Sequence, residues 1–200
     1  MIKIILFDVD GVIIPKKRRF SSNFSREFKV PIEKLSQFFE NEFQLCLVGK
    51  ADLKHEIKKY LEEWNWKKSV DELLLYWFNN EKETDKNVLK NVKELKNLGI
   101  KCFLSTNNEK YRADYLLKNI GLEQYFNGIF SSSRVGYLKP QQEFWQTIYD
   151  ELGETDKKSI LCIDDDKENI KSAKKFGFQA EFYDDFDNYK NKINDYINKK

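Results

Sequence analysis

The sequence predicts an α/β protein: a Rossmann-like parallel sheet flanked by helices, with a helical cap inserted after the first strand. Three observations carry this. From about residue 85 onward, short apolar strand-like runs alternate with helical periodicity. Residues of about 15–84 hold no convincing strand and read as successive amphipathic helices. Four polar punctuations follow in order: Asp8 and Asp10 after the apolar run from Ile4, Ser105-Thr106-Asn107 after Ile100–Leu104, Lys139-Pro140 after a Gly-containing loop, and Asp164-Asp165-Asp166 after Ile160–Ile163.

Each element has its own signal. Phe20, Phe24 and Phe28 repeat every four residues. Pro31 opens a helix through Ile32, Leu35, Phe39 and Phe43; Leu53, Ile57, Tyr60, Leu61 and Trp64 share a face; and Val70, Leu73, Leu74, Trp77 and Phe78 form a fourth. Thr84 is placed to N-cap a helix through Val88, Leu89, Val92, Leu95 and Leu98 that Gly99 ends. A helix around Tyr111–Ile120 stops at Gly121, and Gly128-Ile129-Phe130 is a short strand. Pro140 is read as starting a helix with Phe144, Ile148 and Leu152 on one face and Gly153 at its end. A strand over Ser159–Ile163, a helix through Ile170, Ala173 and Phe176 to Gly177, a strand over Ala180–Tyr183 and a terminal helix complete the chain. The organisation expected is therefore a core of residues 1–14 and 85–200 and a cap of residues 15–84.

Two hundred residues can bury a sizeable core. Hydrophobic content of 40% and aromatic content of 15% argue for folding without disulfides or metal staples. With 35 Lys+Arg against 33 Asp+Glu, both signs are interleaved, which argues against a nucleic-acid partner. Lys16-Lys17-Arg18-Arg19 is the one compact basic run and reads as a solvated linker, with phosphate attraction near the site as the alternative. Cys46, Cys102 and Cys162 form no C-x-x-C pair and read as buried small hydrophobes in a reducing compartment. No apolar run approaches the roughly 18 residues of a membrane span, and too few apolar residues precede Asp8 for a signal peptide. The expected location is cytoplasmic, as a monomer or homodimer.

In an open parallel sheet, ligands bind where strands deliver their carboxyl ends. One crevice could thus collect Asp8, Asp10, Thr106, Lys139, Asp164 and Asp165. At about 4 Å and an effective dielectric near 20, one like-charge pair costs on the order of 4 kcal/mol, so the carboxylates need compensation. Mg²⁺ is the natural remedy, being satisfied by carboxylates, a carbonyl, water and phosphate oxygens. With a lysine, a hydroxyl donor and a spare carboxylate beside it, the chemistry best served is phosphoryl transfer. Asp8 is the expected nucleophile and Asp10 the expected acid and base. Thr106 and nearby N–H groups, Asn107 among the neighbours, would hold phosphoryl oxygens, Lys139 would balance their charge, and Asp8, Asp10, Asp164 and Asp165 would form the metal shell.

The chain also resembles the haloacid dehalogenase superfamily of hydrolases. Phe7-Asp8-Val9-Asp10-Gly11-Val12 is similar to its first motif, Leu104-Ser105-Thr106-Asn107 to its second, Lys139-Pro140 to its third, and Ile163-Asp164-Asp165 with Asn169 and Ala173 to its fourth. The resemblance spans residue 4 to about 180 and implies a Rossmann-like core, a helical cap, Mg²⁺ dependence and an aspartyl intermediate. It also bears on the branch, because the dehalogenases that name the family lack an aspartate where Asp10 stands and the phosphatases keep it. In the second motif, Ser105 or Thr106 could supply the hydroxyl; Thr106, directly before Asn107, matches the family better.

The expected function is a Mg²⁺-dependent phosphatase acting on a small phosphorylated metabolite, a sugar phosphate or nucleotide. A phosphomutase with the same core, or a non-enzymatic binding protein retaining the fold, are the alternatives. His55, amid lysines on a cap helix, reads as a surface residue. Trp64, Trp66, Trp77 and Phe78 read as cap core rather than a stacking platform. Asp166 reads as a helix cap, and Asn108, Arg112 and Arg134 lie near enough to the motifs to touch substrate.

Overall fold

The computed structural model describes residues 1–16, 20–153 and 156–198; Lys17, Arg18 and Arg19 of the basic run and the last residues of the Lys-rich tail lie outside them. Five strands, β1 (Ile4–Phe7), β2 (Lys101–Thr106), β3 (Ile129–Ser131), β4 (Ile160–Asp164) and β5 (Gln179–Phe182), form one sheet in the order β3-β2-β1-β4-β5. Every pairing is parallel. All four residues of β1 are buried, which is why that strand reads as a continuous apolar run rather than an alternating one. Phe7 stands in register with Leu104 on one side and Ile163 on the other, so β1, β2 and β4 deliver their carboxyl ends to one edge.

Among the described residues, six helices come between β1 and β2. The first five are α1 (Phe20–Phe28), α2 (Ile32–Glu40), α3 (Glu42–Leu47), α4 (Leu53–Lys58) and α5 (Val70–Asn80). They bury their own apolar cluster, including Phe20, Phe24, Leu35, Phe38, Trp64 and Trp77, separate from the two clusters that line the faces of the sheet. Aromatic rings fill it edge to face and stacked, with Phe20 and Trp77 centroids 5.0 Å apart. The sixth, α6 (Lys86–Asn97), packs back on the sheet. It is followed by α7 (Lys110–Lys118), α8 (Ser132–Val135), α9 (Gln142–Leu152), α10 (Lys167–Phe176) and α11 (Phe186–Asn198).

Several expected boundaries move. The helix read from Pro31 to Phe43 breaks at Asn41 into α2 and α3, and the one read through Trp64 ends at Lys58 and continues as turns. Asp85, not Thr84, caps α6, accepting from the N–H groups of Asn87 and Val88. Pro140 does not start α9. It follows a cis peptide inside a turn closed by Gln141 N–H to Leu138 O at 2.8 Å, and the helix begins after Gln141. The short α8 went unread, because four residues are too few for a periodic pattern. Cys46, Cys102 and Cys162 are buried and unpaired, and burial pushes the Cys46 and Cys102 thiols up to about 12. Among the described residues no helix is long and apolar enough to cross a membrane.

Candidate active site

Asp8 is the first residue beyond β1, and its N–H still bonds to Ile163 O at 2.8 Å, so its side chain leaves the sheet at the carboxyl-end edge. The chain then curls: the N–H groups of Val12, Ile13 and Ile14 all point to Val9 O, and Gly11 N–H bonds to Ile14 O at 2.8 Å. Gly11 has φ +117°, and a Cβ there would fall 2.1 Å from Asp165 Oδ2. Glycine is needed twice over at this position, for the backbone and for the room Asp165 takes.

Lys139 is the hub. Its Nζ donates to Asp8 Oδ1 at 2.8 Å, to Asp164 Oδ2 at 2.7 Å and to Ser105 O at 2.9 Å, with 2% of its side chain exposed. Its backbone is fixed by Asn107, whose Nδ2 donates to Lys139 O at 3.0 Å and whose Oδ1 accepts from Lys139 N–H at 2.9 Å. Asp164 is oriented in turn by Asp166 N–H at 2.8 Å and by Asn169 Nδ2 at 3.1 Å. Asp166 also N-caps α10, as its place in the sequence indicated.

Burial raises the Asp8 carboxyl to about 8, against the pull of Lys139 and with the push of Asp164 and Asp10. Burial alone would lower Lys139, but Asp8 and Asp164 outweigh it and hold the ammonium above its ordinary value. Three acceptors within 2.9 Å surround the ammonium and hold it charged between the two carboxylates.

Among the described residues, Asp8, Asp164 and Asp165 each offer an oxygen within 4.8 Å of the others, a set of hard donors suited to a divalent cation. Asp10 does not join them with its carboxylate. That group is held by Asn108, whose Nδ2 donates to Asp10 Oδ2 at 2.8 Å and to Thr106 Oγ1 at 2.7 Å. One amide thus sets the second carboxylate and the second-motif hydroxyl side by side. Lys16, the described end of the basic run, is largely exposed and ion-paired with Asp165.

The structure reassigns two arginines. Arg112 is buried and donates to Phe78 O and Glu81 O, tying the cap to α7 rather than reaching a ligand. Arg134 pairs with Asp114 at 2.6 Å on the surface. His55 is exposed. Trp64 and Trp66 are cap core, whereas Trp77, also in that cluster, lines a cavity of about 360 Å³ with Asp10, Phe43, Glu81 and Asn108. Glu81 escaped the sequence reading because it opens a charged Glu-Lys-Glu run that looks like a solvated linker; only the fold turns it inward. Burial raises its carboxyl, opposed by Phe20 N–H and Arg112.

The haloacid dehalogenase-like hydrolase family model matches residues 5–181. A predicted HAD-like family hydrolase from Porphyromonas gingivalis superposes with a TM-score of 0.79 at 19% identity, covering 100% of both chains. A HAD family enzyme of Bacteroides thetaiotaomicron, solved with magnesium and inorganic phosphate, gives 0.79 at 21% identity over 94% of this chain and 99% of that one. The L-2-haloacid dehalogenase of Xanthobacter autotrophicus, with chloropropionic acid covalently bound, gives 0.62 at 20% over 90% and 76%. With its parallel sheet, its helical insertion and a family match from β1 to β5, the chain belongs to the haloacid dehalogenase-like hydrolases.

Proposed function

We propose that the protein is a Mg²⁺-dependent phosphatase of small phosphorylated metabolites that works through an aspartyl-phosphate on Asp8, with residues 15–84 as its cap. The observation that carries this reading is the seat of Lys139 between Asp8 and Asp164, beside a second carboxylate, Asp10, held to Thr106 by Asn108. Lys139 fixes one oxygen of Asp8, and the other attacks phosphorus. Asp10 gives its proton to the departing alcohol oxygen and then takes one from the water that attacks the phosphoenzyme. Thr106 and neighbouring N–H groups hold the phosphoryl oxygens, and Lys139 balances their charge.

Asp8, Asp164 and Asp165 would hold the cation. A divalent cation held there would supply positive charge that favours the ionised Asp8 carboxylate against burial and offsets its repulsion from an anionic ester. Support for the cation comes from the donor set itself and from the magnesium and phosphate bound by the Bacteroides relative. Asp10 speaks against haloacid chemistry, which has no leaving oxygen to protonate.

The test is hydrolysis of an aryl phosphate. Turnover is expected with Mg²⁺, is expected to vanish with chelator, and in Asp8→Asn should fall by about 10³-fold or more. A well-folded protein that turns over no phosphate ester, or an Asp8→Asn variant at full rate, contradicts the reading.

A further inference from the structure

We infer that Glu81 sets substrate choice, selecting phosphomonoesters whose alcohol carries hydroxyl or ammonium donors and no second anion. The inference rests on the phosphatase reading and adds the class of leaving group. If Asp10 protonates the departing oxygen, the alcohol occupies the cavity of about 360 Å³ that opens from Asp10 beneath the cap.

Phe43 and Trp77, with ring centroids 5.4 Å apart, give that cavity an apolar wall that can cover a carbon skeleton. Glu81, just beyond the end of α5, gives it a fixed acceptor. Its Oε1 accepts from Phe20 N–H at 2.9 Å and its Oε2 from Trp77 Nε1 at 3.2 Å. Both bonds orient the carboxylate, and each oxygen retains acceptor capacity for a ligand donor. A leaving group without donors would desolvate that carboxylate and give nothing back.

The charges on the same wall act as a filter. Asp10 and Glu81 are both carboxylates facing the cavity. Glu83 lines the cavity as well; of the described lining lysines, Lys16 is paired with Asp165, and Lys82, bonded to the neutral Asn79 Oδ1 at 3.1 Å, keeps its charge. A second phosphate or a carboxylate on the alcohol would meet the fixed Glu81 carboxylate, Asp10 entering this step as the neutral acid, and repulsion of the wrong partner is as effective a source of specificity as attraction of the right one.

The experiment uses the Mg²⁺-loaded full chain and three esters of matched length: 4-hydroxybutyl, 4-aminobutyl and 3-carboxypropyl phosphate. For the unmodified enzyme, kcat/KM for the hydroxyl and amino esters is expected to exceed that for the carboxyl ester by about 10-fold or more. Glu81→Gln should shrink the amino-to-carboxyl ratio by about 10-fold, and Glu81→Lys should invert it. Glu81→Asp, which keeps the charge, should still disfavour the carboxyl ester and serves if Glu81→Gln does not fold. An unmodified enzyme that shows no preference or prefers the carboxyl ester, or a folded Glu81→Gln with an unchanged ratio, overturns the inference. Aryl phosphate turnover separates the two failures: if it is present without discrimination, only the role of Glu81 falls, and if no ester is turned over, the phosphatase reading falls and takes this inference with it.

Discussion

Asn108 is the residue whose role most exceeds what its neighbourhood in the chain indicates. By donating to both Asp10 and Thr106 it positions the proposed acid and base relative to the proposed phosphate-holding hydroxyl. Asn108→Ala is expected to lower kcat by on the order of 10²-fold with KM little changed, because misplacement of a reacting group by about 1 Å costs that much. Steady-state kinetics on the aryl phosphate check it, and a KM effect alone would mean that Asn108 serves binding. Gly11 makes a second residue-scale test. Gly11→Ala pushes a methyl into Asp165 and strains the backbone, so the Mg²⁺ concentration for half-maximal rate is expected to rise by about 10-fold or more. An unchanged Mg²⁺ titration would remove Asp165 from the cation's shell. At this scale the motif aspartates and Thr106 were legible because each ends or follows an apolar strand, and Lys139 because it precedes Pro140 after a Gly-containing loop. Asn108, Glu81 and the two arginines were not, since their partners (Asp10, Phe20, the carbonyls of Phe78 and Glu81, and Asp114) sit at distances along the chain that local pattern does not reach.

At the scale of elements, the N-terminus of α7 joins the cap's neighbourhood to the core. Glu109 is 2% exposed and accepts from Tyr111 N–H at 2.7 Å and Arg112 N–H at 2.6 Å, yet burial dominates and raises its carboxyl from 4.5 to about 7. The unfolded chain therefore releases this proton first as pH rises. The folded state loses stability from Glu109 between about pH 4.5 and 7, and the loss persists above that range. Glu109→Gln is expected to flatten this limb, gaining on the unmodified protein by up to about 3 kcal/mol between pH 5 and pH 8. Chemical denaturation at several pH values measures it, and a difference between the two proteins that does not vary with pH would contradict it. Element existence was well marked by periodicity and by Gly99, Gly153 and Gly177. Boundaries were set by local hydrogen bonds that apolar spacing does not reveal: Asp85 displaces Thr84 as a cap, and the turn from Leu138 to Gln141 displaces Pro140 from α9. The break at Asn41 has no signal in the apolar spacing, which runs through it.

At the scale of the whole molecule, three apolar clusters divide the labour. Two clamp the sheet and hold β1, β2 and β4 in register, which brings Asp8, Thr106 and Asp164 to one edge; the third stiffens a helical unit whose last helix overhangs that edge. The sheet and the helical insertion were readable because alternation and its interruption are long-range patterns. The cavity between them was not, since it belongs to no segment of the chain. The two parts combine a carboxylate cluster of hard donors with a cavity of about 360 Å³ beside it, the layout on which the proposed phosphoenzyme pathway draws.

The most direct test of that pathway is an acid-quench experiment on Asp10→Asn with a phosphate ester and Mg²⁺. Loss of the group that activates water should leave weak turnover and a covalent phosphate on the peptide containing Asp8, seen as the mass of one phosphoryl group and discharged by hydroxylamine. Full-rate turnover in Asp10→Asn, or phosphate found on any other residue, would contradict Asp8 as the nucleophile and Asp10 as its partner.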